Sequence, residues 1–82
     1  MKLDLYHFES CPFCKKVRTY IEANNLKSKI TYHDIEKDKK AHDQLMKIND
    51  DDEQVPCLVI DGKPMLESDQ IISWLKDHQE KL

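Results

Sequence analysis

Two cysteines separated by a proline and a phenylalanine, Cys11-Pro12-Phe13-Cys14, are the residues of this chain best suited to chemistry. A thiolate is both a nucleophile and a metal ligand, so such a pair is either redox-active or half of a metal site. Pro12 disfavours helical geometry for the residue before it and suits the first helical position itself. Cys11 is thereby expected at the N-cap of a helix, where a side chain accepts from the backbone N–H groups two and three positions on, the third being Cys14. Free N–H groups and the positive end of the helix dipole favour a thiolate there, and Lys15 and Lys16 add positive charge nearby. Cys14 falls on the first turn, more enclosed, with its sulfur in reach of Cys11. That is the pattern of an attacking thiol and a resolving thiol.

The competing reading is structural zinc. Zinc usually takes four Cys/His ligands, often from a second C-x-x-C pair. The remaining candidates are Cys57, His7, His33, His42 and His78, and none stands at paired ligand spacing. Three cysteines is an odd number, which excludes a full disulfide framework. Cys57 itself reads either as a small buried apolar group or as a third thiol near the pair.

The elements that must position the pair follow from periodicity. Leu3 to Phe8 reads as a buried strand, apolar on both faces. Phe13, Val17, Tyr20 and Ile21 recur at helical spacing, giving a helix from about Pro12 to Asn24. Ile30 to Ile35 is β-branched and aromatic enough for a second strand, parallel to the first. Ala41, Leu45 and Ile48 mark a second helix from about Asp38 to Asn49. Cys57–Ile60 and Lys63–Leu66 are strands around an Asp61-Gly62 turn, which holds the only glycine. Pro64 cannot donate to a ladder, so the last strand belongs at an edge. Ser68 is expected to cap a final helix, with Asp69 in its first turn and Ile71, Ile72 and Leu75 facing inward. The order is βαβαββα, an α/β chain. Val55-Pro56 opens the third strand after a polar loop, and base rates there favour a trans peptide over a cis one.

Eighty-two residues make a single domain, 1–82, with about 5,000 Å² of folded surface expected from the mass. No apolar run approaches the roughly 20 residues of a membrane span. Asp4 stands where a signal peptide would be apolar, so a cytoplasmic protein is expected. The net charge of −3 argues against nucleic-acid binding. It is unevenly spread: residues 1–41 sum to +3 and residues 42–82 to −6. The basic half holds the cysteine pair.

Taken together, these motifs resemble a glutaredoxin of the thioredoxin superfamily. The resemblance covers nearly the whole chain. It rests on Cys11-Pro12-Phe13-Cys14 after the first strand, Val55-Pro56 before the third, and Asp61-Gly62 then Glu67-Ser68-Asp69 before the last helix. The Glu67-Ser68 form is closer to glutathione S-transferase N-terminal domains than to common small glutaredoxins. No all-helical second domain follows, so a full transferase is not expected. The resemblance implies a thioredoxin-like, four-stranded mixed sheet with three helices, and a cis Pro56 facing the pair. It also implies a glutathione site. Val55 would pair its backbone with glutathione as an added strand. Ser68 and Asp69 would hold the γ-glutamyl carboxylate at the helix start. Glu67 would bind the γ-glutamyl ammonium or brace that loop, and Phe13 would shield the sulfurs. For Ser68 and Asp69 the plain alternative is a helix cap.

Two departures stand out. Many glutaredoxins carry a lysine shortly before the first cysteine, where this chain has Phe8, Glu9 and Ser10. Basic or glutamine residues often precede the Val-Pro, whereas here Asp50, Asp51, Asp52 and Glu53 lead into Gln54. That acidic run is either a solvated loop or a feature that weakens glutathione binding and favours a basic protein surface.

The expected activity is glutathione-dependent thiol–disulfide exchange. The Cys11 thiolate would attack the protein sulfur of a glutathionylated protein, or one sulfur of a disulfide, and glutathione or Cys14 would resolve the product. Glutathione is then a co-substrate, with no bound cofactor and no metal. The partners are glutathionylated or disulfide-containing proteins, with no nucleic acid and no membrane, and the protein is expected to be a monomer. The competing readings are a thioredoxin-fold binding module, a reductase that does not use glutathione, and a metal protein using Cys11, Cys14 and Cys57.

Overall fold

Seven regular elements follow one another in the computed structural model, which describes residues 1–82. They are β1 (Leu3–His7), α1 (Pro12–Ala23), β2 (Thr31–Asp34), α2 (Lys39–Ile48), β3 (Cys57–Ile60), β4 (Lys63–Leu66) and α3 (Ser68–His78). Short 3₁₀ turns at Lys27–Lys29 and Gln79–Lys81 were not foreseen. The four strands form one sheet in the order β2-β1-β3-β4. β1 runs parallel to β2 and antiparallel to β3, and β3 is antiparallel to β4, so the sheet is mixed.

The pleat sorts the core into two layers. Leu3, Leu5 and Leu58 face α1 and α3, where they meet Val17, Ile21, Ile71 and Leu75. Tyr6, Cys57 and Val59 face α2, against Ala41 and Leu45. The folded surface is 5290 Å², close to the expectation from mass. Trp74 packs against the first layer. Its ring stacks on His78 at 4.1 Å.

The ends of the elements obey local chemistry. Asp38 caps α2 by accepting from the Lys40 N–H at 3.0 Å. Asn24 closes α1, and Asn25 follows at φ 58, a left-handed conformation asparagine tolerates. Asp61 and Gly62 sit at φ 48 and φ 88, the positive pair a two-residue hairpin needs. β4 pairs with β3 alone, which leaves Pro64 on the edge as expected. The first two strands are shorter than expected, while β3 and β4 keep their expected bounds. β1 stops at His7 rather than Phe8, and β2 omits Ile30 and Ile35.

One boundary needs correcting. Ser68 does not cap α3; it is the first helical residue, and Glu67 occupies the cap position with no side-chain capping bond. Glu67 sits there at φ 73 and ψ 118. A glutamate held at positive φ stores about 1–3 kcal/mol of strain, which the surrounding structure must offset.

Candidate functional site

Cys11 occupies the N-cap of α1, as Pro12 dictates, at φ −78 and ψ 116. The Cys14 N–H donates to the Cys11 sulfur at 3.3 Å. The Cys11 N–H in turn donates to the Phe8 carbonyl at 3.2 Å, fixing the connector that delivers it. The two sulfurs differ in access. Cys11 is 7% exposed and Cys14 is 0% exposed. Burial pushes the Cys14 thiol up to about 12, the neighbouring Cys11 sulfur adding to the effect. Both are free thiols in this structure.

The third cysteine is elsewhere. Cys57 lies fully buried in the layer facing α2, across the sheet from α1. Burial raises its thiol to about 11. It therefore packs as a small apolar group and does not join the pair. No three His, Cys, Asp or Glu side chains gather in a way that could hold a metal ion. Alkylation should report this difference in access. Iodoacetamide applied to the reduced native protein is expected to modify Cys11 alone, with Cys14 and Cys57 reacting only after denaturation. Peptide mass spectrometry reads the outcome.

Beside the pair lies a cavity of about 340 Å³. It is lined by Phe13, Val55, Pro56, Glu67, Ser68 and Asp69, together with Gln54. All six non-cysteine positions expected from the sequence are thus brought to one place. The Val55-Pro56 peptide is cis. Phe13 is 63% exposed and forms one wall of the cavity. Two carboxylates and no cation line this space. Lys16, expected to enrich the field at Cys11, is instead held by Asp69 at 2.5 Å, pinning α1 to the start of α3. Both partners are well exposed, and such pairs contribute about 0–1 kcal/mol.

The sequence profile of the glutathione S-transferase N-terminal domain matches residues 5–81. The chain belongs to that family. Two solved structures of the thioredoxin-like protein BC3987 are similar to it across almost its full length. A point mutant of that protein shares 28% identity at a TM-score of 0.74, covering 93% of this chain and 96% of its own. The unmutated protein shares 26% identity at a TM-score of 0.71, covering 99% and 100%. No curated protein matches. The fold of this transferase N-terminal-like domain is therefore thioredoxin-like. No helix in it is long and apolar enough to cross a membrane.

Two residues at the site of this thioredoxin-like domain have no role assigned from the sequence. Gln54 donates from Nε2 to the Glu67 carboxylate at 3.4 Å and shares the cavity wall. Its place directly before Val55-Pro56 was the available signal. Arg18 stands one turn after Cys14 and reaches back over the connector. Its Nη1 is 3.0 Å from His7 Nδ1 and donates to the Phe8 carbonyl at 3.3 Å, while Nη2 donates to the Glu9 carbonyl at 3.3 Å. Spacing of four from Cys14 put both on one helix face, but nothing local showed where the guanidinium would land.

His7 is 6% exposed at the end of β1. Burial, then the Arg18 charge, lowers its proton affinity. Below its unfolded value of 6.5 the unfolded chain binds a proton that folded His7 resists. Stability is accordingly full above that value and is lost as pH falls through it toward the folded value. Urea unfolding between about pH 8 and about pH 5 should show this loss, and the slope should flatten in His7→Asn.

A larger cavity of about 420 Å³ opens on the α2 side, with Asp4, Tyr6 and His33 on its floor. There His33 Nε2 is 2.8 Å from Asp4 and its ring stacks on Tyr6 at 4.7 Å. Neither cysteine of the pair lines it, so size does not identify the reactive site here.

Proposed function

We propose that this chain is a glutathione-dependent thiol–disulfide oxidoreductase of the glutaredoxin type. The observation that carries the reading is the Cys14 N–H donating to the Cys11 sulfur at a helix start. That geometry gives the Cys11 sulfur a backbone donor at a helix N-terminus, and a cysteine sulfur is the nucleophile that attacks a disulfide. The adjoining cavity supports it. Val55 supplies a backbone edge for an extended peptide, and the first turn of α3 supplies free N–H groups for a carboxylate. Glu67 matches the ammonium of a γ-glutamyl group.

Glutathione seated there brings its own sulfur to Cys11. The attack then falls on the glutathione sulfur, not on the protein sulfur expected from the sequence. A bond forms between Cys11 and glutathione, and the electron pair of the broken bond leaves with the protein thiolate, which takes a proton from water. A second glutathione thiolate then attacks the glutathione sulfur, releasing the Cys11 thiolate and glutathione disulfide; by the other route Cys14 attacks Cys11, the Cys11–Cys14 disulfide forms and glutathione leaves as a thiol. The partners on this reading are glutathione and glutathionylated or disulfide-bearing proteins, with no resident cofactor, and the working unit is a cytoplasmic monomer.

A reductase that does not use glutathione is the second reading. The two carboxylates of the cavity, Glu67 and the Lys16-paired Asp69, favour it, because glutathione carries two carboxylates and one ammonium. The exposed run Asp50–Glu53 adds to that field. The deciding measurement is the steady-state rate of reduction of a glutathionylated peptide driven by glutathione. A saturable rate supports the first reading. Turnover with a synthetic dithiol and none with glutathione would replace it with the second.

A further inference from the structure

Arg18 is a half-buried cation that the reaction as described does not use. None of the ion pairs of the molecule includes it. It spends its donors on His7 Nδ1 and on the carbonyls of Phe8 and Glu9. The Phe8 carbonyl is also the acceptor for the Cys11 N–H at 3.2 Å, so one oxygen joins Arg18 to the attacking cysteine. Its charge acts on Cys14 as well, opposing the effect of burial there.

We infer that Arg18 is a positioning residue for the resolving step: it holds the 8–10 connector in place and keeps a permanent positive charge against Cys14. This rests on the exchange chemistry proposed for the pair. The step concerned begins from a mixed disulfide between Cys11 and a substrate sulfur. Cys14 gives its proton to water and its sulfur attacks Cys11. The Cys11–Cys14 bond forms, the Cys11–substrate bond breaks, and the substrate sulfur leaves with the electron pair and is protonated by water. The pair is oxidised and the substrate sulfur reduced.

Arg18 matters most in that state. While Cys11 is a thiol or thiolate, it opposes ionisation of Cys14 through their hydrogen bond and its charge. Once Cys11 is tied up in a disulfide it carries neither. Burial then opposes the Cys14 thiolate, with a backbone hydrogen bond at Phe8 and the Arg18 charge on the other side. Loss of the charge lowers the thiolate fraction. Each tenfold loss costs about three- to fourfold in rate, because a more basic thiolate is also a better nucleophile.

Stopped-flow reaction with dithiobis-nitrobenzoate separates the steps, in a Cys57→Ala background so that only the pair reports. A first coloured thiolate is released when Cys11 attacks, and a second when Cys14 closes on Cys11. Arg18→Gln is expected to slow the second phase by at least about threefold more than the first. Arg18→Lys, which keeps the charge, is expected to recover most of that loss, and circular dichroism melts confirm that both variants fold. A second phase unchanged in Arg18→Gln, or equally slow in Arg18→Lys, would overturn the inference. The assay contains no glutathione, so a failure of glutathione-dependent turnover leaves its result standing. A parent protein that releases only one equivalent would overturn both.

Discussion

Cys11→Ser is expected to bring glutathione-driven reduction of a glutathionylated peptide down to the uncatalysed rate. The serine hydroxyl keeps the shape of the N-cap and accepts the same N–H bond, so the fold survives. What disappears is the nucleophile, since a neutral hydroxyl does not attack sulfur. Cys14→Ser should behave differently. Cys14 is fully buried and its thiol is raised to about 12, which suits a group that acts only after Cys11 has reacted. Removing it is expected to spare deglutathionylation, where a second glutathione resolves the intermediate, and to abolish reduction of peptide disulfides, which needs both sulfurs. Retained deglutathionylation in Cys11→Ser would mean that the geometry of the pair has been assigned the wrong chemistry.

The second large effect concerns stability. Leu58→Ala is expected to cost about 3 kcal/mol, within the usual span for a buried leucine cut to alanine. Leu58 is 0% exposed at the centre of β3 and belongs to the layer that binds the sheet to α1 and α3. A cavity there cannot close easily, because the neighbouring strands fix the backbone on both sides. A domain of this size holds about 5–15 kcal/mol in total, so Tm should fall by about 15 °C. Urea unfolding monitored at Trp74 reads the midpoint, and the slope with denaturant should stay unchanged if only the folded packing is affected. A loss below about 1 kcal/mol would show that the layer repacks around the gap. Because α1 carries Cys11 and α3 carries the cavity wall, the same variant should lose activity at temperatures where the parent is still folded.

Local rules carried much of this protein from its sequence. Pro12 decided that Cys11 would cap α1, because proline restricts its own φ and the conformation before it. Asp61-Gly62 decided the β3–β4 hairpin, because few residue pairs accept two positive φ values. Alternation along β1 set Leu3 and Leu5 on one face and Tyr6 on the other without any knowledge of the partners. The gathering of Phe13, Val55, Pro56, Glu67, Ser68 and Asp69 was legible only through the resemblance to a family, since those positions are spread over three separate elements and loops.

Tertiary structure decided the rest, for reasons that lie outside any short window. The cap of α3 lies at Glu67, held at φ 73, and not at Ser68, against the usual preference for serine as a cap. Lys16 was expected to serve Cys11 but is taken by Asp69, which is distant in sequence and reaches it only because α3 packs beside α1. Cys57 reads from its sequence as core or as a third thiol, and the pleat of β3 puts it on the face away from α1. Arg18 looked like one more charge on a helix until the connector folded under it. Dihedral preferences and periodicity act over a few residues, and the sequence states them directly. Which charge meets which carbonyl depends on strand order and helix packing, and those emerge only when the whole chain buries its core.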